Sequence, residues 1–125
     1  ALQKNAGSRF VCRPVGLRVE TTASVLTRSA TVGDVLRIVV NHFEGNYVCD
    51  AGTLARLRAE DRVVLRYMDN PNGSLDDIAG IANDAGNVVG LMPHPERAAE
   101  AILGGEDGAV LLQGFLGTPT LAARA

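Results

Sequence analysis

The segment Gly90-Leu91-Met92-Pro93-His94-Pro95-Glu96-Arg97 carries the residues of this sequence best suited to acid–base chemistry. Two prolines bracket a histidine, and a glutamate follows two positions after it. A residue before proline is pushed out of the helical region, so Met92 and His94 are expected to be extended. Residues two apart on an extended chain point the same way, which puts His94 and Glu96 on one face. Glu96 then reaches one ring nitrogen and leaves the other free as a base, the base-plus-orienter pair of a catalytic triad. The prolines lower the conformational entropy lost in holding that pair. Spacing alone leaves two descriptions open: this pair, or a loop histidine beside a surface carboxylate, the commoner origin of an isolated His-x-Glu.

A triad also needs a nucleophile. The two cysteines, Cys12 and Cys49, are far apart and neither belongs to a C-x-x-C pattern. Cys12 falls inside an expected strand and precedes Arg-Pro. Cys49 precedes Asp-Ala-Gly. Neither shows the strand, sharp turn and helix that expose a thiolate at a helix N-terminus, so both are expected to be structural thiols. Their flanks give no metal-ligand spacing, and no metal site is expected. Unpaired thiols fit a reducing, cytoplasmic setting.

The elements that must position His94 and Glu96 come from a chain of 125 residues, the length of one domain. Hydrophobic residues make up 46% and aromatic ones 4%, with no Trp, so Val, Leu, Ile and Ala must fill the core. The formal charge is -2 and no run of Lys or Arg is present, which argues against nucleic-acid binding. Arg37 or glycines interrupt the longest apolar stretches, so no membrane span is expected, and the opening residues have no signal-peptide pattern.

Arg9–Glu20 alternates apolar and polar residues and reads as one long strand, with Pro14 placing it at an edge or bulge. Val35–Val40 is a second strand. Gly45-Asn46 marks a turn before a short strand over Tyr47–Cys49. A helix capped by Thr53 runs to about Glu60. Val63–Met68 is a further strand, and Asp69–Ser74 is a loop of turn-forming residues. Asp77–Ala82 and Asn87–Met92 form a hairpin, with Gly86 supplying a left-handed residue. Ala98–Leu103 suits a short helix ended by Gly104-Gly105, and Glu106-Asp107 opens another. The tail, residues 118–125, is expected to fray.

Strand-Pro-His-Pro-Glu-Arg resembles the signature of class I glutamine amidotransferases, of the phosphoribosylformylglycinamidine synthase type. So do Glu44-Gly45-Asn46-Tyr47, Asp69 to Ser74 with Ile78-Ala79-Gly80-Ile81, and Asn87 to Arg97, in that order. Leu2-Gln3-Lys4-Asn5 and Arg9-Phe10-Val11-Cys12 resemble the middle of that family, and the likeness covers residues 1 to 116. It implies an α/β fold: the C-terminal part of a flavodoxin-like amidotransferase, strand-rich with C-terminal helices, in one partial domain over 1–125. It implies a Cys-His-Glu triad, with His94 matching the base and Glu96 the orienting acid. His42 is a weaker candidate, since the family tends to have a histidine near this place. It would line the substrate or subunit interface, or be a plain surface histidine.

The resemblance also implies partners. L-glutamine would be the substrate, and its ammonia would pass to a synthetase subunit in purine biosynthesis. ATP and Mg would be bound by that subunit, with no cofactor in this chain. The nucleophile elbow and the oxyanion-hole glycines of the family precede the region that this sequence matches, and the sequence opens on Ala1, as if entered part-way. The chain alone is therefore expected to be inactive. A second reading is a non-catalytic module that binds the synthetase subunit or itself. The apolar faces of Val35–Val40 and Val88–Met92 are expected to be bare, and to drive dimerisation or pairing with a complementing N-terminal half.

Overall fold

The computed structural model describes residues 1–116, and the tail expected to fray lies outside them. Seven strands are described: β1 (Leu2–Gln3), β2 (Val11–Val19), β3 (Val35–His42), β4 (Asn46–Tyr47), β5 (Val63–Tyr67), β6 (Ile78–Ala82) and β7 (Val89–Leu91). Two helices accompany them, α1 (Ala51–Ala59) and α2 (Asp107–Phe115). Five strands make one antiparallel sheet in the order β3-β2-β5-β6-β7, and β1 pairs with β4 in a second, two-stranded one.

The strand β2 has β3 beside it from Val11 to Arg18, but meets β5 only from Leu17 to Val19. Pro14 therefore lies on a half-strand with one neighbour, where its missing N–H leaves no ladder bond unmade. The run Val63-Val64-Leu65 is buried throughout, as expected of a strand covered on both faces. On one side it joins the main core of Leu17, Val19, Ile38, Val40, Leu65 and Leu111. On the other, Val63 joins Leu57 of α1 and Ile78.

Three expectations need correction. The cap of α1 is Asp50, not Thr53: its carboxylate accepts from Thr53 N at 2.8 Å and from Thr53 Oγ1 at 2.7 Å. Thr53 is thus the residue bonded by the cap, three positions along, as capping geometry requires. Ala98–Leu103 is not one helix. It is two 3₁₀ turns, Pro95–Ala98 and Ala101–Leu103, separated by an extended Glu100 that bridges to Gly105. Finally, the apolar face of β3 is not bare. Leu36, Ile38 and Val40 are buried in the same cluster as Ala98 and Leu111, so the first turn and α2 cover it from within the chain.

The expected hairpin of β6 and β7 is present, with Gly86 at φ 68° in its loop. A side chain at Gly86 would also collide with the Ala23 carbonyl, so backbone conformation and close approach both require glycine there. No described helix is long and apolar enough to cross a membrane.

Candidate active site

The strand β7 delivers the chain to His94 by way of Met92-Pro93. His94 is then fixed from its backbone: its N–H donates to the Val39 carbonyl of β3 at 2.8 Å, as an isolated antiparallel bridge. Pro95 opens the turn Pro95–Ala98, where its ring presets the helical φ and its missing N–H is one that a first turn leaves unbonded anyway.

That turn brings Glu96 back to the ring. Glu96 Oε1 lies 2.7 Å from His94 Nδ1. The two side chains do meet, but by a route other than the extended chain expected: His94, at φ -106° and ψ 88°, caps the turn, and the turn folds Glu96 under it. With Nδ1–H donating to the carboxylate, Nε2 carries the lone pair. Among the described residues Nε2 of His94 has no hydrogen-bond partner. The pair is open to solvent, at 34% side-chain exposure for His94 and 60% for Glu96. Burial pushes the Glu96 carboxyl up. The His94 hydrogen bond, Glu96's own backbone and the charges of His94 and Arg97 outweigh that, and hold it below the usual carboxylate value. Arg97 is tied down in turn: when the Asn41 amide turns its oxygen inward, it accepts from Arg97 Nη1 and Nη2 at 3.0 and 2.9 Å.

His42 is neither a surface residue nor an open one. It is 6% exposed and held at both nitrogens. Asn5 Oδ1 lies 3.1 Å from Nδ1, and Asn72 Nδ2 lies 3.4 Å from Nε2. The Asn5 oxygen can only accept and the Asn72 amide only donate, which selects the neutral ring protonated at Nδ1. Burial, with a further push from the charge of His94, holds its pKa below the ordinary 6.5, against the raising effect of its own backbone hydrogen bond. The same two asparagines bind the chain around it. Gly45 N donates to Asn5 Oδ1 at 3.1 Å, Asn72 Nδ2 donates to the Gly45 carbonyl at 2.8 Å, and Asn5 Nδ2 donates to the carbonyl of His42 at 3.0 Å. Ser74 Oγ donates within 2.7 Å of Asn72 Oδ1. Tyr67, whose hydroxyl accepts from Asn72 at 3.4 Å, has its phenol pushed up to about 12 by burial.

Sequence reasoning missed this network. Asn5 and Asn72 stand 37 and 30 positions from His42, beyond any local pattern. Its one local sign is Gly45, where any side chain would run into the His42 ring.

The thiols take no part in the pair. Cys12 sits near the start of β2 opposite Asn41, exposed, with β3 between it and the His94 turn. Cys49 lies between β4 and α1, past the end of the short strand rather than within it. The helix start beside it is already served by Asp50, and Cys49 contributes instead to raising the Tyr47 phenol, after burial. Neither is hydrogen-bonded to His94 among the described residues. Those residues hold no cluster of three His, Cys, Asp or Glu that could bind a metal ion.

Residues 1–104 match the CobB/CobQ-like glutamine amidotransferase domain. The chain is 54% identical over 117 residues to the phosphoribosylformylglycinamidine synthase subunit PurQ of Cereibacter sphaeroides, covering 94% of this chain and 53% of that protein. Against the protein of the same name from Ruegeria pomeroyi it is 52% identical over 122 residues, covering 98% and 55%. A solved structure of PurLQS from Thermotoga maritima superposes with a TM-score of 0.81 at 43% identity, over 93% of this chain and 51% of that one. The chain thus spans about half the length of the curated relatives it matches.

Proposed function

This chain belongs to the CobB/CobQ-like glutamine amidotransferase domain family, and from that premise we propose that it supplies the base and the orienting acid of a glutaminase. The substrate is L-glutamine, and the ammonia released passes to a synthetase subunit that makes phosphoribosylformylglycinamidine. The names of the relatives support the pathway. The observation that carries the chemistry is the 2.7 Å contact between His94 Nδ1 and Glu96, which leaves Nε2 free.

In this reading Nε2 of His94 takes the proton of a cysteine thiol as the sulfur attacks the side-chain amide carbon of glutamine. The same proton then goes to the leaving nitrogen, which departs as ammonia and leaves a glutamyl thioester. Water, deprotonated by His94, hydrolyses the thioester to glutamate and frees the thiol. Glu96 stabilises the imidazolium that forms at each proton transfer. The nucleophile comes from outside Cys12 and Cys49, and these 125 residues by themselves are inactive.

The test uses a chimera that joins this chain to the part of the Cereibacter sphaeroides relative outside the match. His94→Asn in that chimera is expected to lower glutamine hydrolysis by roughly 10²–10⁴-fold without changing its melting. This chain alone is the blank. Unaltered turnover in His94→Asn breaks the assignment, as does turnover by this chain alone that vanishes in Cys12→Ala or Cys49→Ser.

A further inference from the structure

The strand β3 stands at one end of its sheet and pairs there only with β2, so its other edge faces the turn that carries Glu96. From that side β3 holds the turn Pro95–Ala98 at two points. At the front, the Val39 carbonyl accepts from His94 N at 2.8 Å. Further along, Asn41, with its amide oxygen turned inward, accepts from Arg97 Nη1 at 3.0 Å and from Nη2 at 2.9 Å. Val39 and Asn41 are two apart on an extended strand, so their side chains share one face. Asn41 is partly buried and lies in register with Cys12 of β2, which makes it a fixed point rather than a loop residue.

Glu96 lies between these two anchors. Its Oε1 is 2.7 Å from His94 Nδ1, and its side chain is 60% exposed. A guanidinium binds a carboxylate best through both oxygens at once. Arg97 follows directly in the chain, and its charge already helps to hold the Glu96 carboxyl below the usual value. A two-pronged Arg97–Glu96 pair would take Oε1 from His94 and leave the ring without its orienter. No such pair forms. Among the described residues Arg97 enters no ion pair, and its two terminal nitrogens are bonded to Asn41.

We propose that Asn41 is a positioning residue: it holds the Arg97 guanidinium off Glu96, so that the carboxylate stays on Nδ1 of His94. The proposal rests on the glutaminase reading. Asparagine suits the task chemically. Its amide oxygen is a neutral acceptor with two lone pairs, so it takes both terminal N–H groups and leaves the guanidinium its full charge. That charge still favours an ionised Glu96 from a distance. An apolar residue of the same size would release Arg97 to swing onto the carboxylate. Asn41 thus acts on the base only through the orienter, and touches neither the substrate nor the ring.

The experiment compares Asn41→Leu, Asn41→Asp and Asn41→Leu with Arg97→Gln in the chimera. Asn41→Leu is expected to lower kcat for glutamine hydrolysis about three- to fivefold, the shift in populations that one exposed ion pair can produce. KM and the melting midpoint should not change. Asn41→Asp still offers oxygens to the guanidinium and should restore kcat. Adding Arg97→Gln to Asn41→Leu should also raise kcat, because the competitor for Glu96 is gone, whereas lost packing is not repaired by a second truncation. Nitrogen NMR of the same proteins should show the Arg97 Nη signals separate in the parent, where the two hydrogen bonds slow rotation, and merged in Asn41→Leu. An unaltered kcat in Asn41→Leu overturns the positioning role. So does a loss that Arg97→Gln deepens, a loss that comes with a lower melting midpoint, or merged signals in the parent. If turnover depends on His94 and not on Asn41, the glutaminase reading stands and the positioning role falls. If turnover is indifferent to His94 as well, both fall.

Discussion

His42 and His94 are both held by β3, one at its end and the other through the Val39 carbonyl, yet the fold uses them in opposite ways. His42 has both nitrogens bonded inside the protein. It is buried and kept neutral, and it locks the N-terminal segment, the Gly45 turn and the Asn72 loop onto one another. His94 has one nitrogen bonded to a carboxylate and the other open. It stands partly exposed, at the start of the turn Pro95–Ala98. A histidine with no free nitrogen can only support, whereas one with an orienter and a vacant lone pair can act as a base. The difference lies in the partners rather than in the residue, so a histidine found by motif needs its hydrogen bonds counted before it is given a role.

If that contrast is right, the largest effect on stability belongs to the buried ring. His42→Ala opens a cavity and removes the ring from two asparagines, and is expected to cost about 2–4 kcal/mol by chemical denaturation of this chain. Gly45→Ala should also destabilise, because its methyl group would press on the same ring. In a double-mutant cycle its cost should shrink once His42 is alanine, since the obstacle has gone. A loss below about 1 kcal/mol for His42→Ala, or strict additivity with Gly45→Ala, would remove the structural half of the comparison.

A smaller effect separates the two rings by pH. The folded protein keeps the His42 pKa below the ordinary 6.5, so below that value the unfolded chain binds the extra proton and the folded chain does not. The stability tied to His42 is then complete above 6.5 and is lost as the pH falls toward the folded value. Denaturation midpoints taken from about pH 8 to about pH 5 should fall less steeply in His42→Gln than in the parent. Parallel curves would mean that the ring is not held neutral. Carboxylates such as Asp76, which its hydrogen bond from Arg58 holds low despite some burial, act at lower pH and cancel in the comparison.

Much of the frame was legible because it depends on local pattern. Alternation gave β2, a run of β-branched residues gave β3, turn residues gave the hairpin with Gly86, and two prolines pointed to His94 with Glu96. What stayed hidden depends on contacts distant in sequence or on competition between similar residues. Asp50 outranked Thr53 as the cap because the carboxylate stands three residues before the amide that it serves, which only the true helix start reveals. The apolar face of β3 looked bare because nothing local says that Leu111, more than seventy positions on, will lie in the same core as Ile38. Asp76 and Asp77, at φ 57° and 55°, showed no glycine to mark a left-handed backbone. Arg58 and Arg66 both bind Asp76 and hold that segment in place. The pairing of His94 with Glu96 was expected for a reason only half right: the prolines do set it, through a 3₁₀ turn rather than an extended strand.

The smallest expected effect on stability falls on the pair itself, and it sharpens the contrast most. Glu96→Gln keeps the side-chain shape and one acceptor oxygen, and removes the charge. The carboxylate is more than half exposed and His94 is a third exposed, so water screens their attraction. Exposed ion pairs contribute about 0–1 kcal/mol, and the fold should lose no more than about 0.5 kcal/mol. Function should respond differently. Without the negative charge the imidazolium that forms as His94 accepts a proton is less stable, and the glutamine amide can turn either its oxygen or its nitrogen toward Nδ1, so the tautomer with a free Nε2 is no longer enforced. In the chimera, kcat for glutamine hydrolysis should fall more than KM rises. A variant as active as the parent would make Glu96 a surface carboxylate that happens to touch a histidine. A variant that unfolds would place the pair with His42 among the supports. Either result would end the distinction between the two rings.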